Sequence, residues 1–237
     1  MKIIKVKTYA EMSHTAAKII AEQITNKPNS VLGFATGSSP VGTYNELVKM
    51  YADGKISFKD ITTFNLDEYC GLDKSNPQSY HHFMIQNLFN HVDINPDNIH
   101  LPSGVACDTN KECANYEREI SNAGGIDLQL LGVGSNGHIG FNEPDTVFQN
   151  LTHEVALAES TIEANKRFFD DIADVPKTAI TMGIGTIMSA RKIVLVAGPD
   201  KAHIIKKLET DLVADPQFPI SILHYHPDCT IIFAESK

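Results

Sequence analysis

Asp127-Leu128-Gln129-Leu130-Leu131-Gly132-Val133-Gly134-Ser135-Asn136-Gly137-His138-Ile139-Gly140-Phe141-Asn142-Glu143-Pro144 contains the change of pattern on which the fold turns. Leu128 to Leu131 is a short apolar run of the kind that fills a buried strand. Glycines follow at 132, 134, 137 and 140, with Asn136, His138, Asn142 and Glu143 among and after them. Glycine frees the backbone, and polar side chains in a loop at a strand end mark a site rather than a spacer. Gly132-x-Gly134-x-x-Gly137 also fits the dinucleotide-binding pattern. That use needs a helix opening at the third glycine, with its amino terminus facing a pyrophosphate. Gly140 and Pro144 stand where the helix would run, and neither suits it. No nicotinamide cofactor is expected here.

Outward from this stretch, apolar runs and amphipathic segments alternate. Strands are expected at Lys2–Val6, Val31–Ala35, Ile61–Leu66, Thr178–Met182, Ile193–Ala197 and Thr230–Ala234. Thr8–Gln23 reads as a helix with Met12, Ala16, Ile19, Ile20 and Ile24 on its core face. Further helices are expected through Val41–Val48, Ser79–Asn90 and Ala202–Leu208, with a short one at Ile220–Leu223. Thr109-x-x-Glu112 reads as a capping box for a helix that Gly124-Gly125 ends. The alternation implies an α/β fold: a doubly wound, mostly parallel, Rossmann-like sheet with helices on both faces, in a single domain spanning 1–237. Residues 148–176 are less regular. There Ser160-x-x-Glu163 precedes Asn165-Lys166-Arg167-Phe168-Phe169, which reads as a lid over a pocket or as an exposed helix with its Phe residues turned inward.

The formal net charge of −9 argues against a nucleic-acid partner. It also means that an anionic ligand has to be held by local cations or helix ends. Cys70, Cys107, Cys113 and Cys229 form no Cys-x-x-Cys pair and no zinc spacing, so reduced thiols in a cytoplasmic protein are expected. No segment reads as a signal peptide or a membrane span.

In an open parallel sheet the strand ends after Ala35, Leu66, Leu131 and Ala197 gather on one edge. Thr36-Gly37-Ser38-Ser39-Pro40 there reads as an anion cradle, with Ser39 as N-cap and Pro40 at the first helical position, or else as a well-capped βα turn. Asp67 follows the third strand. Lys201 falls in a first helical turn, where the helix dipole disfavours a cation unless an anion is bound. Cation and N–H groups suit a phosphate, and a carboxylate with an imidazole suits proton transfer. No Gly-x-Ser-x-Gly and no His-Glu-x-x-His occurs, so neither a serine nucleophile nor a metal is expected. Residue chemistry alone thus indicates a small phosphorylated metabolite and cofactor-free acid–base catalysis.

Phe64-Asn65-Leu66-Asp67-Glu68-Tyr69 and Gly132 to Pro144 closely resemble the glucosamine-6-phosphate deaminase family. So do Thr36–Pro40, Ala164–Phe169 and Gly198-Pro199-Asp200-Lys201-Ala202, in the same order along essentially the whole chain. The resemblance implies conversion of D-glucosamine 6-phosphate and water to D-fructose 6-phosphate and ammonia. It assigns ring opening to His138, tuned by Asn136 and Glu143, and the C2–C1 proton transfer to Asp67. Ser38, Ser39, Arg167 and Lys201 would hold the phosphate. Whether the chain acts as a monomer or a small homo-oligomer stays open.

Many members carry Asp where this chain has Asn136, and an amide orients an imidazole without lending it charge. Larger allosteric members continue past the last strand and carry basic residues after Asn-Glu-Pro. Here the region is Gln149-Asn150-Leu151-Thr152-His153-Glu154, so no activation by N-acetylglucosamine 6-phosphate is expected. Two alternatives share the pattern: a 6-phosphogluconolactonase-type hydrolase, which has no need of the Asp67 shuttle, and a sugar-phosphate-sensing effector domain. The second would carry a DNA-reading module, whereas this chain opens on a strand at Lys2. With Asn136 neutral, Glu143 carries the charge tuning of His138. Glu143→Gln should therefore displace the pH–rate profile, and an unchanged profile would assign the tuning elsewhere.

Overall fold

In the computed structural model, which describes residues 1–159, 162–163 and 175–236, seven parallel strands form the main sheet. They are β1 (Lys2–Val6), β2 (Val31–Phe34), β3 (Thr62–Asn65), β5 (Ile99–His100), β6 (Leu128–Leu131), β9 (Lys192–Ala197) and β10 (Cys229–Ala234). Their order is β1-β10-β9-β6-β2-β3-β5. Strands β4 (Asp67–Tyr69), β7 (His153–Ala156) and β8 (Thr178–Thr181) form a second, antiparallel sheet ordered β4-β8-β7. The α-helices whose full extent is described are α1 (Tyr9–Asn26), α2 (Val41–Ala52), α3 (Tyr80–Asn87), α4 (Thr109–Asn122), α5 (Ile184–Met188) and α6 (Ala202–Thr210).

Side chains alternate along a strand, so a strand covered on both faces is apolar throughout. In β9, Ile193, Leu195 and Ala197 enter one core, and Val194 and Val196 the other. Helices α4, α5 and α6 close the first core with Tyr116, Ile187 and Leu208; α1, α2 and α3 close the second with Met12, Tyr44 and Met84. Thr8 caps α1 by accepting the Glu11 N–H at 3.2 Å, and the Met12–Ala16–Ile20–Ile24 stripe is buried as its spacing requires.

Four expectations are corrected. Pro40, not Ser39, is the N-cap of α2, and the Tyr9 hydroxyl from α1 accepts the Gly42 N–H at 2.8 Å. Helix α4 is capped by Asp108, which accepts the Lys111 N–H at 3.0 Å, while Glu112 turns to the Ser103 N–H at 2.7 Å. An acidic side chain directly before the helix is the better-placed acceptor, and the Thr109 hydroxyl bonds Glu154 instead. The Asp67–Tyr69 segment is itself a strand. Leu66 donates its N–H to Phe34 O at 3.0 Å, in the main sheet, and accepts the Met182 N–H at 2.7 Å beside the small one. Finally, 153–156 within the expected lid is a sheet strand, paired with β8 from His153↔Thr181 to Ala156↔Thr178. Strands this short carry too little periodicity to be read from sequence. The Ser160 capping box and Asn165–Phe169, with Arg167, lie outside the described residues.

Glu117 ties these parts together. Its Oε1 accepts the Thr152 N–H at 2.7 Å and the hydroxyls of Thr152 and Thr186 at 2.6 Å each. Both threonines are buried, so losing the acceptor strands their donors. Glu117→Ala should cost about 1–3 kcal/mol in urea unfolding, with Glu117→Gln costing less.

Candidate active site

Strands β2 and β6 are neighbours, but the chain leaves them in opposite directions, β2 towards β3 and β6 towards β9. A switch point of this kind opens a crevice at the carboxyl ends of the strands. A cleft of ≈ 270 Å³ lies there. Ser38, Ser39, Asp67, His138 and Lys201 all line it, so the four strand ends meet as the alternation implied. Asn136 and Glu143 stand behind His138, and Arg167 is outside the described residues.

Asp67 is 6% exposed. Burial, then repulsion from the adjacent Glu68, pushes its carboxyl up to about 8. Its position follows from Leu66: a backbone bonded into both sheets leaves the next side chain in the dry seam between them.

His138 is held by a triangle of polar groups. Its Nδ1 lies 2.8 Å from Asn136 Oδ1 and 3.1 Å from Glu143 Oε1, and Asn136 Nδ2 donates to Glu143 Oε2 at 2.6 Å. Two acceptors facing Nδ1 place the proton on that nitrogen and leave Nε2 as the acceptor. Burial opposes ionisation of Glu143, but the hydrogen bond and charge of His138, with the Asn136 amide, outweigh it and hold the carboxyl below its usual range.

The glycines make this arrangement possible. A Cβ on Gly134 would fall 2.1 Å from the His138 ring, so the imidazole packs on bare backbone. Gly137 has φ +90°, in the left-handed region, and its Cβ would meet Phe218 at 2.5 Å. No helix opens at Gly137; the chain turns to an isolated bridge between Ile139 and Asn142. Asn142 Nδ2 then donates to Ile139 O at 3.0 Å and Met182 O at 2.8 Å, which ties the loop to the end of β8.

Lys201 precedes α6 at its N-cap, and its Nζ pairs with Asp200 Oδ2 at 2.6 Å. The neighbouring carboxylate therefore compensates the unfavourable dipole at Lys201. Sequence reasoning missed that pairing. It also missed Tyr80, which lines the cleft with its hydroxyl 3.0 Å from that of Tyr69. Its only signal was an aromatic residue directly after the α3 cap Ser79. Among the described residues no helix is long and apolar enough to cross a membrane, and no group of three His, Cys, Asp or Glu side chains is placed to hold a metal ion.

A dry carboxylate across a cleft from an oriented imidazole, with hydroxyls and an ammonium group beside them, belongs to enzymes that move protons on small phosphorylated substrates. Comparison narrows the class. The family described as glucosamine-6-phosphate isomerases/6-phosphogluconolactonase matches residues 5–232, and the chain belongs to it. The glucosamine-6-phosphate deaminase of Lachnoclostridium phytofermentans is 55% identical, over 98% of this chain and 98% of its own. That of Lysinibacillus sphaericus is 57% identical over the same shares. A solved structure described as a monomeric glucosamine-6-phosphate deaminase is 46% identical, covers 99% of this chain and 97% of its own, and superposes with a TM-score of 0.95. The 6-phosphogluconolactonase of Thermotoga maritima, 18% identical with a TM-score of 0.75 over 98% of each chain, shares the fold alone.

The raised proton affinity of Asp67 has a consequence for stability. A carboxyl bound more tightly to its proton in the folded state contributes stability that is full below its unfolded pKa and lost as pH rises through about 8. Asp67→Asn does not ionise. It should be more stable than the parent by about 1–3 kcal/mol at roughly pH 9, and the gap should close near pH 4, as paired urea titrations would show.

Proposed function

We propose that the chain converts D-glucosamine 6-phosphate and water to D-fructose 6-phosphate and ammonia. The observation that carries this is the buried Asp67 facing a cleft shared with His138, whose Nδ1 is committed to Asn136 and Glu143. The names of relatives above 50% identity over nearly their whole length support it. The lactonase alternative rests on fold alone.

Catalysis begins at the ring. His138 Nε2 takes the proton of O1 and returns it to O5, which opens the pyranose to the aldehyde. Glu143 stabilises the imidazolium formed in between, and Asn136 fixes the ring plane. Asp67 then removes the proton from C2, while O1 receives the proton given up by the ammonium nitrogen, and an enolamine results. Asp67 returns its proton to C1, leaving a protonated imine at C2. Water adds there and ammonia departs. A carboxylate titrating close to neutral pH suits both halves of this transfer. Ser38, Ser39 and Lys201, with Arg167, hold the phosphate, where binding energy orients C1 and C2. Lys201 exchanges Asp200 for the phosphate on binding. We assign the protein to the cytoplasm, and the relative described as monomeric supports a monomer.

Ammonia and fructose 6-phosphate should appear together from glucosamine 6-phosphate with EDTA present. Asp67→Asn should lower kcat by about 10²–10⁴ while still opening the ring. Substrate binding without ammonia release by the parent protein would overturn the assignment.

A further inference from the structure

Glu68 follows Asp67 on β4 but points the other way. Asp67 lines the cleft, whereas Glu68 borders a hollow shared with Leu72, His81 and Gly104. It is 2% exposed. Its Oε1 accepts the N–H groups of Tyr69 and Tyr80 at 2.8 and 2.9 Å, and its Oε2 accepts that of His81 at 2.9 Å. All three partners are donors. A carboxylate satisfies them, and the proton of a carboxylic acid would find no acceptor among them. Tyr80 and His81 also open α3, whose amino terminus favours negative charge. Burial pushes the Glu68 carboxyl up, and the three N–H bonds oppose this without cancelling it.

We propose that Glu68 is a positioning residue for the deamination: it stands as a buried carboxylate beside Asp67, anchored on the start of α3, and the same bonds seat Tyr80 in the cleft wall. This rests on Asp67 as the base assigned above. Two buried carboxylates on consecutive residues do not ionise alike, even with their side chains on opposite faces of the strand. Backbone donors stabilise the charge on Glu68, and Asp67 receives none among the described residues.

The other titratable groups facing Asp67 are Tyr44 of α2, Tyr80 of α3, Tyr116 of α4, and His138, Asp200 and Lys201 across the cleft. Burial raises all three phenols, which keeps them neutral. The Tyr44 and Tyr116 hydroxyls are bound to Ala35 O and Asn65 O. Tyr80 bonds the Tyr69 hydroxyl and the Thr36 side chain. Lys201 pairs with Asp200, which leaves Glu68 as the negative charge next to Asp67.

Two variants separate charge from anchoring. Glu68→Gln removes the repulsion, so Asp67 loses its proton more readily. The acid limb of kcat/KM should move to lower pH by on the order of one unit. Glu68→Asp withdraws the carboxyl from the α3 N–H groups, so Tyr80 loses its anchor and KM should rise by about tenfold. Carbon-13 NMR titration of the parent protein's carboxyl groups needs neither turnover nor substitution, and Glu68 should release its proton at lower pH than Asp67. A limb that stays in place in Glu68→Gln, or the reverse order of titration, would overturn the proposal. Absence of ammonia release would sink the deaminase assignment alone, since the NMR order decides this one independently.

Discussion

The backbone of Met182 holds both halves of the site. Its N–H donates to Leu66 O at 2.7 Å, and its carbonyl accepts Asn142 Nδ2 at 2.8 Å. Leu66 immediately precedes Asp67, and Asn142 immediately precedes Glu143. One peptide position after β8 therefore sets the carboxylate and the loop that carries the imidazole against each other. Geometry fixed by backbone bonds in a buried seam is pre-organised, and little reordering is left for substrate to bring about. The small antiparallel sheet exists at this point in the structure to supply that seam.

The two ends of the cleft obey different electrostatics. Around Asp67 water is excluded, and burial with a like charge makes the carboxyl cling to its proton. Around Ser38, Ser39 and Lys201 the groups are more open, and the ammonium is already paired with Asp200. The chain carries a net charge of −9, so its long-range field does not attract an anion. Under the proposed function, affinity for a phosphate comes from these few local groups. Stability is given up at the dry end, where a buried carboxylate costs free energy once it ionises.

Much of this was legible in the residues. Apolar runs ending in polar loops placed the strand ends, and Gly140 and Pro144, standing where a helix would have to run, argued against a dinucleotide loop. Glu68 was visible only as part of Asp-Glu-Tyr, and its partners Tyr80 and His81 gave no local sign of their role. The α2 cap was misread because its donor is met by Tyr9, from another helix, and no local pattern reports such a partner. Strand β7, with its mixed His153-Glu154-Val155-Ala156, lacked the alternation that would have separated it from a loop.

By itself, the sequence determined the features that depend on local periodicity and residue chemistry. These are the parallel sheet covered on both faces, the helices between its strands, and a glycine loop presenting Asn136, His138 and Glu143. Tertiary structure alone decided that Asp67 is dry, that Glu68 is its charged neighbour with a helix start to hold it, and that Lys201 rests on Asp200. The reason is physical. Periodicity is a property of neighbours along the chain, whereas the proton affinity of a carboxyl depends on every group that folding brings within a few ångströms of it and on the water that folding removes.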